Sequence, residues 1–179
     1  MTTEAASLSK SLAQLRGEFD AIFAAPPPAL KDERVSLITL RVGSQALAVR
    51  TLHTTGIARR TRILPIPTRV PGLLGILALR GALIPAYDLG ALLGFPATAN
   101  PGSWLLLANP EAPIALIFSE FERQLEIERS CLHESESSGS HNHLRMMARL
   151  DGTQRAVIDI PGIVEEIQRN VAVLTPAEE

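Results

Sequence analysis

The sequence predicts a mainly β protein of two small, pseudo-symmetric barrels, about five strands each, preceded by a helix. Three observations predict it. Short apolar runs of strand length recur along the chain, bounded by glycine, proline, asparagine and aspartate. The second half repeats the first: Leu79, Gly81, Asp88, Leu89 and Leu92 align with Leu150, Gly152, Asp159, Ile160 and Ile163 at one constant offset. Apolar residues make up 46% of the chain but aromatics only 4%, the aliphatic filling that small barrels take. Two copies of a unit are too few for a solenoid, and barrels remove the edges that short strands leave exposed.

Composition narrows the function classes. The 179 residues suffice for one ordinary domain or two small ones. A net charge of -2 argues against a general nucleic-acid or membrane-surface binder. One cysteine, Cys131, excludes an internal disulfide framework and fits a reducing compartment. No run has the apolar length of a membrane span, and the first ten residues lack the apolar core of a secretion signal. A soluble cytoplasmic protein is expected.

Residues 7–25 carry Leu8, Leu12, Leu15, Phe19, Ile22 and Phe23 at helical spacing, and Pro26–Pro28 end the helix. Such a helix either packs on its own domain or offers its apolar stripe to a partner. Residues 1–34 thus form a helix and a proline-rich linker. The body is expected over 35–170, divided into halves of about 35–95 and 100–170, with a tail over 171–179. Strands are expected at Leu37–Val42 and Ala46–Arg50 around Gly43. His53–Arg62 reads as irregular and basic, and Ile63–Pro67 as an extended edge or loop, since its prolines exclude a central position. Leu73–Leu79 and Ala82–Tyr87 read as buried strands across Arg80-Gly81. Asp88 caps a helical turn over Leu89–Leu93, which Gly94 closes. After a turn-rich linker, Trp104–Ala108, Ile114–Phe118 and the alternating Phe121–Glu128 are strands. Residues 131–143 read as a polar loop, Leu144–Leu150 and Arg155–Ile158 as strands around Asp151-Gly152, and Asp159 opens a last helical turn over Ile160–Gln168.

Chemistry is sparse. Asp88 and Asp159 sit in separate halves where capping aspartates belong, so they read as structural caps and not as a paired acid and base. Arg59, Arg60 and Arg62 have no glycine-rich cradle and read as a solvated face. Cys131, His133, His141 and His143 are the residue types zinc takes, but their spacing matches no common zinc pattern, so no metal site is assigned. No phosphate loop, nucleophile elbow or phosphorylatable histidine on a helical bundle is visible, and no residue is assigned a catalytic role.

The stretch Pro71–Leu89, PGLLGILALRGALIPAYDL, closely resembles the signature of the CheW family of chemotaxis coupling domains. Gly75, Arg80, Gly81, Pro85, Asp88 and Leu89 match that pattern in order and spacing, and the resemblance runs from about Val35 to Arg169. It implies two five-stranded SH3-like barrels related by a pseudo-twofold. It also implies a non-catalytic, cofactor-free adaptor that binds the cytoplasmic tip of a methyl-accepting chemoreceptor and the regulatory domain of a histidine kinase, with no nucleic acid and no membrane insertion. The receptor helix is expected in the groove between barrels, with Leu79, Arg80 and Gly81 as the candidate partner contacts. Gly56 stands where the family usually has a glutamate able to pair with the arginine of the signature. Alternatives are a divergent scaffold in a non-flagellar pathway, a metal- or redox-responsive domain using the 131–143 loop, and a structural module that self-associates through its N-terminal helix.

Overall fold

The computed structural model describes residues 34–96, 102–134 and 143–174. The helix expected over 7–25 and its linker as far as residue 33 lie outside the described residues, as does His141, whereas Arg34, expected in the linker, opens the first strand. Twelve strands and two helices follow in order: β1 (Arg34–Val42), β2 (Gln45–Arg50), β3 (Gly56–Arg59), β4 (Ile63–Leu64), β5 (Leu73–Leu79), β6 (Ala82–Asp88), α1 (Leu89–Leu92), β7 (Trp104–Ala108), β8 (Ile114–Phe118), β9 (Glu120–Glu128), β10 (Leu132–Glu134), β11 (Met146–Leu150), β12 (Thr153–Ile158) and α2 (Ile160–Leu174).

The fold is mainly β and twofold in plan, with six strands to a sheet where about five were expected. The added strands are β3, inside the stretch expected to be irregular, and β10, inside the expected polar loop. The residues expected as a tail begin within α2, which runs on to Leu174. One sheet has the order β10-β11-β12-β2-β1-β9, the other β4-β5-β6-β8-β7-β3. Under the sequence repeat β4 corresponds to β10, β5 to β11, β6 to β12, β1 to β7, β2 to β8 and β3 to β9. The two orders are then the same order.

They are the same, however, only because each half gives its first hairpin to the other. The β1–β2 hairpin joins the last four strands of the chain, through β12 running parallel to β2 with Val157 opposite Ala48. The β7–β8 hairpin joins β3–β6, through β6 running parallel to β8 with Tyr87 opposite Leu116. The sheets therefore do not divide where the halves 35–95 and 100–170 were drawn.

Each sheet wraps an interior of its own, although its two outermost strands are not hydrogen-bonded to each other. In the second sheet the outermost strands, β3 and β4, are joined by residues 60–62 alone, and Ala58 and Ile63 pack into one interior with Leu77, Ile84, Leu105 and Ile117. In the first sheet residues 129–131 join β9 to β10, and Leu125, Ile127 and Leu132 share an interior with Leu37, Ala48 and Val157. A third core lies between the barrels, where Ile38, Leu40 and Val49 meet Tyr87, Leu106, Leu116 and Phe118, and where Leu89 of α1 and Ile160, Ile163 and Ile167 of α2 are buried. Alternation explains the arrangement in β1, β2, β7 and β8: one side of the strand fills its own barrel and the other side reaches the shared core. Gly75 lets β4 lie against β5, because a Cβ there would stand 2.1 Å from the Leu64 carbonyl oxygen.

Candidate partner-binding hairpin

The β5–β6 hairpin is the shortest kind a sheet permits. Leu79 pairs with Ala82, leaving Arg80 and Gly81 as the two-residue turn. Both have left-handed backbones, φ 51° and 84°. Two positive φ values match the right-handed twist of the flanking strands, which is why glycine is favoured here. Arginine in that conformation costs about 1–2 kcal/mol, so Arg80 is held there by the pairing on either side.

Of the three residues expected at this turn, Leu79 is half-buried and packs toward the interior of its barrel. Arg80 and Gly81 are exposed, and nothing lies within 4 Å of where a Gly81 Cβ would stand. The apolar side chain that the hairpin presents to water is Leu83, 73% exposed although it belongs to a run expected to be a buried strand. It pairs with the exposed Ala78. A signal was there, since in an antiparallel hairpin Leu83 must face away from Ile84, which fills the barrel.

Position 80 corresponds to Asp151 in the other half, where Asp151-Gly152 makes the same turn with φ 47° and 79°. Asp151 pairs with Arg123 across the barrel surface. Among the described residues no carboxylate pairs with Arg80. Ion pairs of the first sheet, Arg34–Glu126, Arg41–Glu122 and Arg155–Glu122, likewise have no counterpart on the second. The reason is compositional: the only acid in the strands of the second sheet is Asp88, which caps α1. Arg59 stacks over Trp104 at 4.3 Å, and Arg60, Arg62, Arg69 and Arg80 have no acidic partner among the described residues. Gly56, the first residue of β3, faces Leu107 across the sheet.

The two aspartates act on backbone. Asp88 Oδ1 accepts hydrogen bonds from the amides of Gly90 and Ala91 at 2.8 and 3.4 Å, starting α1. Asp159 Oδ1 accepts from Gly162 N at 3.2 Å in the first turn of α2. The residue types weighed for a metal are dispersed. Cys131 ends a short helical turn, His133 is exposed on β10, and buried His143 bonds Glu166 at 2.6 Å. Among the described residues no three histidines, cysteines or acids gather as a metal-binding set. None of their helices is long and apolar enough to cross a membrane.

Comparison with known proteins agrees with this geometry. A family model described as a CheW-like domain matches residues 36–168. Among solved structures, the scaffolding protein TtCheW from Thermoanaerobacter tengcongensis superimposes with a TM-score of 0.62 at 16% identity, over 69% of this chain and 88% of that one. A search of curated proteins finds no match.

Proposed function

The chain belongs to the CheW-like domain family, and from that membership we propose that it is a non-catalytic adaptor of chemotaxis-type signalling. It couples the cytoplasmic tip of a methyl-accepting chemoreceptor to the regulatory domain of a histidine kinase, and it does so in the cytoplasm by binding alone. The observation that carries this reading is the β5–β6 turn. An exposed guanidinium without an acidic partner among the described residues stands at the tip of a two-residue hairpin, in a backbone conformation that disfavours its residue type. Arginine is enriched among residues that dominate binding energy, since it offers five donors in a fixed fork. Leu79 sets the turn from within the barrel, and Gly81 leaves the approach to Arg80 open.

Titration calorimetry against the receptor tip and against the kinase domain tests the proposal. Both should bind the wild-type chain. Arg80→Glu should weaken one of them by at least about tenfold while the melting temperature stays unchanged, because the side chain makes no ion pair among the described residues. Absence of binding to both partners would refute the adaptor reading.

A further inference from the structure

We infer that the outer face of β4–β6 is a docking surface for an acidic amphipathic helix of a partner protein. The face is read directly from the pairing. Leu64 lies opposite Ile76, Ile76 opposite Pro85, and Ala78 opposite Leu83. Directly opposed residues share a face, so these side chains form one apolar strip three strands wide. The strip is wet where it matters: Leu83 is 73% exposed and Leu64 55%, and Ile66 follows at 38%. These are three of the five large apolar side chains most exposed among the described residues.

Charge frames the strip. Arg80 stands at its hairpin end. Arg62 precedes β4 by one residue and, two before Leu64, falls on the same face by alternation. Both are exposed and neither has an acidic partner among the described residues. The occupant is thus apolar on one stripe and acidic beside it, since like charge would meet two uncompensated guanidinium groups.

The occupant's form follows from the edge. β4 is the outermost strand, yet it is two residues long and is followed by Pro65 and Pro67. Proline supplies no amide hydrogen, so the edge cannot template an added strand. Docking must then proceed through side chains on the face. Three strands at their usual spacing span about 10 Å, which is the width of a helix. Three exposed apolar side chains and a net negative chain suit a protein helix better than a lipid surface.

The inference draws on the adaptor reading only in requiring a protein partner, and its test uses neither receptor nor kinase. The probe is a fluorescein-labelled peptide of about 20 residues, long enough to be helical, with a leucine stripe flanked by glutamates. Its control carries lysine at every glutamate. The full chain should bind the acidic peptide at least about tenfold more tightly than the basic one, and the gap should shrink with added salt. The double variant R62E/R80E should reverse the preference. Leu83→Asp should abolish binding with the melting temperature unchanged, as expected of so exposed a site.

Equal affinity for the two peptides would overturn the inference, as would full binding by Leu83→Asp. So would Leu83-dependent capture of phosphatidylglycerol vesicles in place of the peptide, or Leu83-dependent self-association in light scattering. If the acidic peptide binds but receptor tip and kinase domain do not, the adaptor reading fails and the docking surface stands. The reverse result removes the docking surface alone.

Discussion

Arg80 and Asp151 occupy the same position in two copies of one turn, and their different surroundings separate a surface left open from one that is closed. Asp151 has Arg123 beside it, an exposed pair worth at most about 1 kcal/mol. Arg80 is exposed and has no acidic partner among the described residues. The turn itself was legible, because a strand of apolar residues ending in Arg-Gly and resuming at once leaves no room for anything but a two-residue loop. Leu83 was not, because a wholly apolar run reads as buried on both sides, whereas in the fold its outward side is open to solvent. His53 is a second residue whose role emerges only in three dimensions. Its Nδ1 is buried without a hydrogen-bond partner among the described residues. Desolvation by burial and then the nearby Arg50 charge lower its pKa from 6.5, with Asp159 opposing. The unfolded chain therefore binds a proton more readily than the folded one. Stability contributed by the neutral ring is present above the unfolded value of 6.5 and is lost as pH falls from there toward the lowered folded value. Thermal melts should show a decline over that interval that His53→Gln reduces.

At the scale of elements, the capping aspartates differ in what they hold. Asp88 starts a helix of four residues, whereas Asp159 starts one of fifteen whose apolar stripe closes the shared core. Replacing either by alanine removes an acceptor for first-turn amides and should cost about 1 kcal/mol in denaturant unfolding. Amide exchange should spread differently: along α2 in Asp159→Ala, but only over residues 89–93 in Asp88→Ala. Strands β1, β2 and β5–β8 were legible because each is a run of aliphatic residues between turn signals. β3 was not, since Gly-Ile-Ala-Arg has neither length nor clear alternation, and it is a strand because Trp104–Leu107 lies beside it. β10, Leu-His-Glu, is extended by pairing with Met146–Ala148. Tertiary pairing overrode local preference in both. α2 outruns its expected end at Gln168, running to Leu174, beyond Ile167, the last buried position among residues 160–172.

For the whole molecule, the repeat predicted two matched barrels but could not say how the hairpins are shared. If β1–β2 and β7–β8 are copies of one unit, either can complete either sheet, and no local signal distinguishes keeping from exchanging. The structure has them exchanged, so each barrel needs both halves of the chain. Separate fragments 34–96 and 102–174 should each remain unfolded by far-UV circular dichroism and recover the native spectrum on mixing, whereas independent folding of either would disprove the interdependence. The exchange also ties the β5–β6 hairpin to both halves of the chain, through β6 running beside β8.

The most direct test of the account is the hydrogen-exchange footprint of the chain with the chemoreceptor tip and with the kinase regulatory domain, each against the free protein. The account predicts slowed exchange over residues 76–85 with one of the two partners, lost in Arg80→Glu. Protection confined to the opposite barrel with both partners, leaving residues 76–85 unchanged, would contradict it.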